Sequence, residues 1–320
     1  MFFVVLPIVL LIGAAAWWHW FHAVVPAPHA LSAVPTLGVI RTPQGDRRYQ
    51  SFIPAECRRG APIVVVLHGS RGSAEQIRAQ TGFEYERLAE RNGFIVAYPQ
   101  GHERYWNDGR VAGNWESKRQ NIDDVGFLVS LVELLRDEQG AGPAFFVGYS
   151  NGGHMCFRMA FEALEIVDGI AVIAANLPTP ENLVCTMPVQ PISALLIDGT
   201  SDPINPYEGG KVTIFGFGDR GPVHSAPGSA AILAGLLGPE VHRNSPTQVF
   251  PVTGDGDTRI ERIAWTSPAG EVELLTVHGG GHVVPQPRYR FPRFFGRTDM
   301  RFNAPAESWA FFQRAIDRLG

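Results

Sequence analysis

The chain has 320 residues, a formal net charge of −4 and only 18% charged residues, which leaves no basic footprint for nucleic acid. Apolar residues make up 45%, enough for a large core in one or two domains. The 35 Gly and 25 Pro are scattered without a repeat or low-complexity tract, so they punctuate a globular fold rather than mark disorder.

Residues 1–40 contain no Lys, Arg, Asp or Glu, and residues 2–18 are apolar throughout. Residues 1–25 therefore read as an export segment, in one of two forms, with a buried core helix as the remaining alternative. Ala14, Ala15 and Ala16 suit a cleaved signal peptide, although a basic start is missing. Trp17, Trp18, Trp20 and Phe21 suit the interface end of a retained membrane anchor, which would tether the protein. Either form places the folded part outside the cytoplasm. Residues 26–45 read as a linker and residues 46–320 as one domain. Cys57, Cys156 and Cys185 leave at least one thiol unpaired, and none has metal-site spacing.

Within the domain, residues 47–54 form an expected early strand. Residues 62–67 (Pro-Ile-Val-Val-Val-Leu) are a β-branched run, as in a strand buried on both faces of a parallel sheet. Residues 73–91 are amphipathic, with Ser73 as N-cap and Gly93 as stop, and predict one helix. A strand over 93–99 follows, then a helix over 123–138 with an acidic start and an apolar stripe. Further strands are expected over 143–148, 168–174, 192–198, 248–252, 259–266 and 272–277. Helices are expected after Ser150, over 225–237 and over 307–319. Strands alternating with helices predict an α/β fold with a mostly parallel sheet. Chemistry in such a sheet belongs in loops beyond the carboxyl ends of strands.

Residues 148–152 read Gly-Tyr-Ser-Asn-Gly, at the end of one predicted strand and the start of a helix. Small neighbours permit a sharp turn that lifts the Ser150 hydroxyl above the sheet, so Ser150 is the candidate nucleophile. A serine nucleophile needs a base, and the base needs a partner that fixes its tautomer. His282 follows a strand in His278-Gly279-Gly280-Gly281-His282 and is the candidate base, with His278 its rival. Asp202 lies between serine and histidine in chain order, after the strand ending at Asp198, and is the candidate acid. Asp198 competes with it. The N–H of Asn151 and that of Ser70, in His68-Gly69-Ser70, are candidate oxyanion donors. His68 reads as a brace for that loop.

Seven motifs occur in order: Leu67-His68-Gly69; Tyr98-Pro99-Gln100-Gly101; Trp106-Asn107-Asp108-Gly109; Asp123-Asp124-Val125-Gly126-Phe127; Gly148 to Gly153; Asp198 to Pro203 with Pro206 to Gly210; and Gly279 to His282. Over residues 48–318 this set resembles the family of polyhydroxybutyrate depolymerases and feruloyl esterases. The resemblance implies an α/β-hydrolase fold and an exported carboxylesterase without metal or organic cofactor. It implies Ser150, Asp202 and His282 as the triad, Ser70 and Asn151 as oxyanion donors, and Trp106 as part of the acyl-pocket wall. An ester, small or oligomeric, would be its partner.

The chain departs from that pattern in two places. Val283-Val284-Pro285 follows His282, where the family usually has a tryptophan. Phe161 stands where a paired cysteine is common, which leaves Cys185 without its usual partner. Residues 288–301 hold five arginines among aromatics and read as a solvated loop, with an anionic substrate or membrane surface as the alternative. A peptidase on the same fold and a non-catalytic binding module are the rival functions. The first lacks an acidic pair for a peptide amine, and the second would normally lack a triad member.

Overall fold

The apolar runs build the middle of one large sheet. This computed structural model describes residue 13, residues 17–250 and residues 259–319. In chain order the main strands are β1 (Thr36–Thr42), β2 (Gly45–Phe52), β3 (Ile63–Leu67), β4 (Ile95–Pro99), β5 (Ala144–Tyr149), β6 (Gly169–Ile173) and β7 (Ala194–Gly199). A small two-stranded ribbon, β8 (Gly210–Lys211) and β9 (Pro222–Val223), follows. Then come β10 (His242–Arg243), β11 (Thr247–Phe250), β12 (Arg259–Ser267) and β13 (Gly270–His278). The main sheet runs β1-β2-β4-β3-β5-β6-β7-β13-β12-β10, with β11 also paired to β12. From β4 to β13 the pairings are parallel, and both flanks are antiparallel. Strands β3, β4, β5, β6 and β7 are buried along their whole length, as expected where helices cover both faces.

The helices are α1 (Ala74–Gln80), α2 (Glu84–Asn92), α3 (Glu116–Arg119), α4 (Asp124–Gln139), α5 (Asn151–Glu162), α6 (Ala226–Gly235) and α7 (Ala304–Leu319). On one face, α4, α5 and α6 pack Phe127, Leu131, Met155, Met159 and Leu233 onto the sheet. On the other, α1, α2 and α7 pack Ile77, Tyr85, Trp309 and Phe312. Ser73 caps α1 by accepting from the Gln76 N–H, and Gly93 ends α2 in the left-handed region at φ 72°.

Two expectations need correction. The linker reading of residues 26–45 fails over its second half. Thr36–Thr42 is strand β1 and pairs with β2 from Thr36↔Ser51 to Thr42↔Gly45, through a turn at Pro43 and Gln44. The β-branched residues Val39 and Ile40 favour that extended pairing. The single helix expected over 73–91 is two, because Gly82 and Phe83 both take positive φ and the Thr81 hydroxyl donates to the Ile77 carbonyl at the end of α1.

The export segment lies largely outside the described residues, of which 17–21 are helical. Among the described residues no helix is long and apolar enough to cross a membrane. The strand expected over 248–252 is β11 as far as Phe250, and its last two positions lie outside the described residues.

Candidate active site

Strand β5 ends at Tyr149 and α5 begins at Asn151, so Ser150 alone makes the turn. It holds φ 56° and ψ −115°, a conformation that costs roughly 1–3 kcal/mol and persists only under constraint. The constraint comes from backbone crowding. A Cβ on Gly148 would lie 2.1 Å from the Gly152 carbonyl oxygen, and one on Gly152 would lie 2.4 Å from that of Leu67. The Ser150 N–H also donates to the Ile173 carbonyl at the end of β6, 2.9 Å away.

His282 and Asp202 converge on this turn from the ends of β13 and β7. His282 Nε2 lies 2.9 Å from Ser150 Oγ, and Nδ1 lies 2.7 Å from Asp202 Oδ2. A carboxylate at Nδ1 can only accept, so Nδ1 carries the proton and Nε2 is left to accept from the serine hydroxyl. The other carboxylate oxygen of Asp202 accepts the N–H groups of Ile204 (2.7 Å) and Asn205 (2.8 Å). The His282 backbone is held twice: its N–H donates to the Phe295 carbonyl, and the Tyr149 hydroxyl donates to its carbonyl.

The rivals fall elsewhere. His278 sits at the end of β13 against Arg259 and Glu261. Asp198 is buried beside the Ala175 N–H, where burial first and the Asp202 charge second push its carboxyl well above the usual range.

The two candidate oxyanion donors border the same turn. Asn151 is the first residue of α5, where an N–H has no intrahelical partner. Ser70 follows Gly69, whose Cβ position would lie 3.4 Å from the Ser150 Cβ, so the loop presses directly on the serine turn. His68 braces the loop as expected. Its Nδ1–H donates to the Gly69 carbonyl (2.8 Å) and its Nε2 accepts from the Gly101 N–H (2.9 Å). Burial lowers its pKa to about 4, so the ring is neutral, as this double role requires.

Trp106 corrects an expectation. It has no exposed surface, so it does not wall an accessible acyl pocket. Its indole N–H donates to the His68 carbonyl at 2.8 Å, and its backbone N–H donates to the Asn151 side chain at 2.8 Å. It is a strut beneath both candidate oxyanion positions. The same network contains two residues to which the sequence reading gave no role. Asp108 accepts from the Arg110 guanidinium (3.0 and 2.6 Å) and from the Asn151 amide (2.5 Å), with both charged groups buried. The Asp-x-Arg spacing was visible in the sequence, but nothing local marked it as buried or as reaching Asn151. Cys57, Cys156 and Cys185 are all free thiols, and among the described residues no His, Cys, Asp or Glu group could hold a metal ion.

No protein-family model matches the chain. It is 28% identical over 259 residues to a protein named Putative esterase NocK from Nocardia uniformis, covering 76% of this chain and 72% of that one. Feruloyl esterase B from Thermothelomyces thermophilus is 27% identical over 135 residues, covering 38% of this chain and 43% of the relative. Among solved structures, the acetyl xylan esterase from Aspergillus awamori superposes with a TM-score of 0.55 at 16% identity, covering 78% of this chain and 95% of that one.

The chain has the α/β-hydrolase fold and is similar in sequence to proteins named as esterases. These likenesses support a hydrolase acting on esters. In this fold the three candidate residues that follow strands meet in one hydrogen-bonded line.

Proposed function

We propose that the protein is an exported serine carboxylesterase that hydrolyses short hydroxyalkanoate or aryl esters through an acyl-enzyme. The observation that carries this reading is the unbroken line from Ser150 Oγ through His282 to Asp202, at 2.9 and 2.7 Å, on a strained turn.

Ser150 Oγ attacks the ester carbonyl carbon while His282 Nε2 takes its proton. Asp202 holds the histidine tautomer and stabilises the imidazolium that forms. The N–H groups of Asn151 and Ser70 receive the developing oxyanion. His282 then protonates the leaving alkoxide, and water, deprotonated by the same ring, releases the acid from Ser150. Every step uses side chains and backbone of this chain. The first 40 residues, free of Lys, Arg, Asp and Glu and apolar over 2–18, support export.

The test is hydrolysis of p-nitrophenyl acetate and butyrate by the purified chain beside a Ser150→Ala control. Turnover should fall by about 10⁴–10⁶ in the variant. A folded wild-type protein without turnover rejects the esterase reading. Faster hydrolysis of a peptide anilide than of the ester would move the protein to the peptidases.

A further inference from the structure

An aromatic track leads from the N-terminal helical turn to the candidate base. Trp17, Trp18, Trp20 and Phe21 are each more than half exposed. Phe21 packs on Phe294 at 5.3 Å, Phe294 on Phe295 at 4.2 Å, and Phe295 lies 6.4 Å from the His282 ring. The segment is fixed to this loop by main chain, since Val24 and Arg290 exchange hydrogen bonds of 2.9 and 3.0 Å.

A second element joins the same face. Between β8 and β9, Ile214 and Phe217 close a tight turn with reciprocal bonds of 2.8 and 3.0 Å. Its tip is Phe215-Gly216, both at positive φ, and Phe217 follows at 79% exposure. Asparagine or glycine is the ordinary occupant of the first tip position, and a bulky aromatic there is strained. Phe215 packs on Phe294 at 5.7 Å, while Phe217 points into solvent.

Charge on this face is mainly basic, and the exposed acid of the ribbon, Asp219, is paired with Lys211. The arginines of residues 288–301 do not form a uniformly solvated loop. Arg288 reaches the Gly82 and Ala27 carbonyls, and Arg301 pairs with Asp299, the acid of this loop. Arg293 and Arg297 are exposed. Together with Arg290, His19 and Trp20 they line a cavity of about 520 Å³ between the helical turn and the loop.

We propose that this face docks on an anionic lipid bilayer. Arg290, Arg293 and Arg297 take lipid phosphates, and Trp20, Phe21 and Phe217 enter the interfacial layer. Tryptophan and phenylalanine beside arginine is the composition of a membrane-interface contact, and exposed cationic charge complements the negative surface of such a bilayer. The face adjoins His282 through Phe295, so the ester to be cleaved comes from the lipid phase. That last clause rests on the esterase reading; the docking does not.

The experiment uses the full chain in vesicle flotation, with phosphatidylcholine–phosphatidylglycerol vesicles against phosphatidylcholine alone. The wild type should float with the anionic vesicles, and added salt should weaken binding. The double variant Arg293→Glu/Arg297→Glu should bind them about tenfold or more weakly, and Phe217→Ser should weaken binding to both vesicle types. Turnover of soluble p-nitrophenyl acetate should stay within about twofold of wild type in both variants, while turnover of a vesicle-borne ester falls. A wild type that does not float overturns the proposal. So does a charge-reversed variant that floats as well as the wild type, as a contact between two copies of the chain would give. Equal loss on soluble and vesicle-borne ester would also overturn it, by placing these residues in the site itself. If the protein hydrolyses no ester, the esterase reading fails and flotation alone still decides the docking.

Discussion

The two sides of Ser150 are held by different means. On the side of Asn151 and Ser70, buried side chains do the holding: His68, Trp106, Asp108 and Arg110 bond to the loops and to one another. On the side of His282 and Asp202, main chain does most of it: the Ile204 and Asn205 N–H groups grip the carboxylate and the Phe295 carbonyl grips the histidine backbone, with the Tyr149 hydroxyl adding a side-chain bond to the His282 carbonyl. A side-chain brace places buried charge and polarity under the site, so pH and single substitutions reach it. A main-chain clasp depends on close backbone approach, so only a substitution that adds volume reaches it. The first side should therefore fail through stability and the second through geometry.

The largest expected effect tests the brace. Asp108→Ala leaves the Arg110 guanidinium buried without its carboxylate, since Arg110 is only 1% exposed, and releases the Asn151 amide. Breaking a buried pair from one side costs about 3–5 kcal/mol. Equilibrium unfolding in urea should show that loss, and Asp108→Asn should show a smaller one. A change below about 1 kcal/mol in Asp108→Ala would mean that the network does not carry the loop, and the contrast between the two sides would collapse.

How much of this contrast the sequence held depends on the range of each interaction. The parallel strands and most helices were legible because β-branched runs, apolar stripes, Ser73 and Gly93 act within a few residues. Ser150, Asp202 and His282 were legible because each follows a strand, and the sheet brings strand ends together. β1 was missed because it lies beside a charge-free export segment, and its pairing with β2 is not apparent from composition. The break between α1 and α2 rests on positive φ at Gly82 and Phe83, and a Phe in that conformation has no sequence signal. Asp108 and Asn151 meet across 43 positions, so no local pattern could join them. Trp106 was placed in the pocket wall by resemblance, whereas the path of its loop turns the ring inward to the His68 carbonyl.

The next effect sharpens the electrostatic half of the contrast. Folded His68 has its pKa depressed from 6.5 to about 4, chiefly by burial. Between those values the unfolded chain binds a proton that the folded chain does not. Stability therefore rises with pH through this window and is lost as pH falls from about 6.5 to 4, by roughly 3 kcal/mol for this group. Protonation at Nε2 would also destroy its acceptor for the Gly101 N–H. His154, buried and depressed in the same direction, adds to the slope. Melting temperatures measured from pH 4 to 7 should fall on the acid side, and His68→Gln should show a lower but flatter profile. An unchanged slope in the variant would remove His68 from the account.

The smallest expected effect tests the clasp. A Cβ on Gly281 would lie 2.1 Å from the Phe295 carbonyl oxygen and 2.5 Å from the Gly296 Cα, both backbone atoms that cannot swing aside. Gly281→Ala must therefore push residues 281–282 away from the 295–296 strand of chain, and the bond from the His282 N–H to the Phe295 carbonyl lengthens with it. The ring moves with its backbone, so the 2.9 Å contact to Ser150 is lost before the fold is. A misplacement of about 1 Å costs on the order of 10²-fold in turnover, about 2.7 kcal/mol at the transition state. The melting temperature should fall by less than that figure implies, because no charge is stranded and the strands on either side keep their ladders. Ester turnover and thermal melting measured on the same preparation separate the cases. A variant that loses stability and activity in proportion would show that the main-chain side is as tightly coupled to the fold as the braced side, and the difference between the two sides would then be one of materials alone.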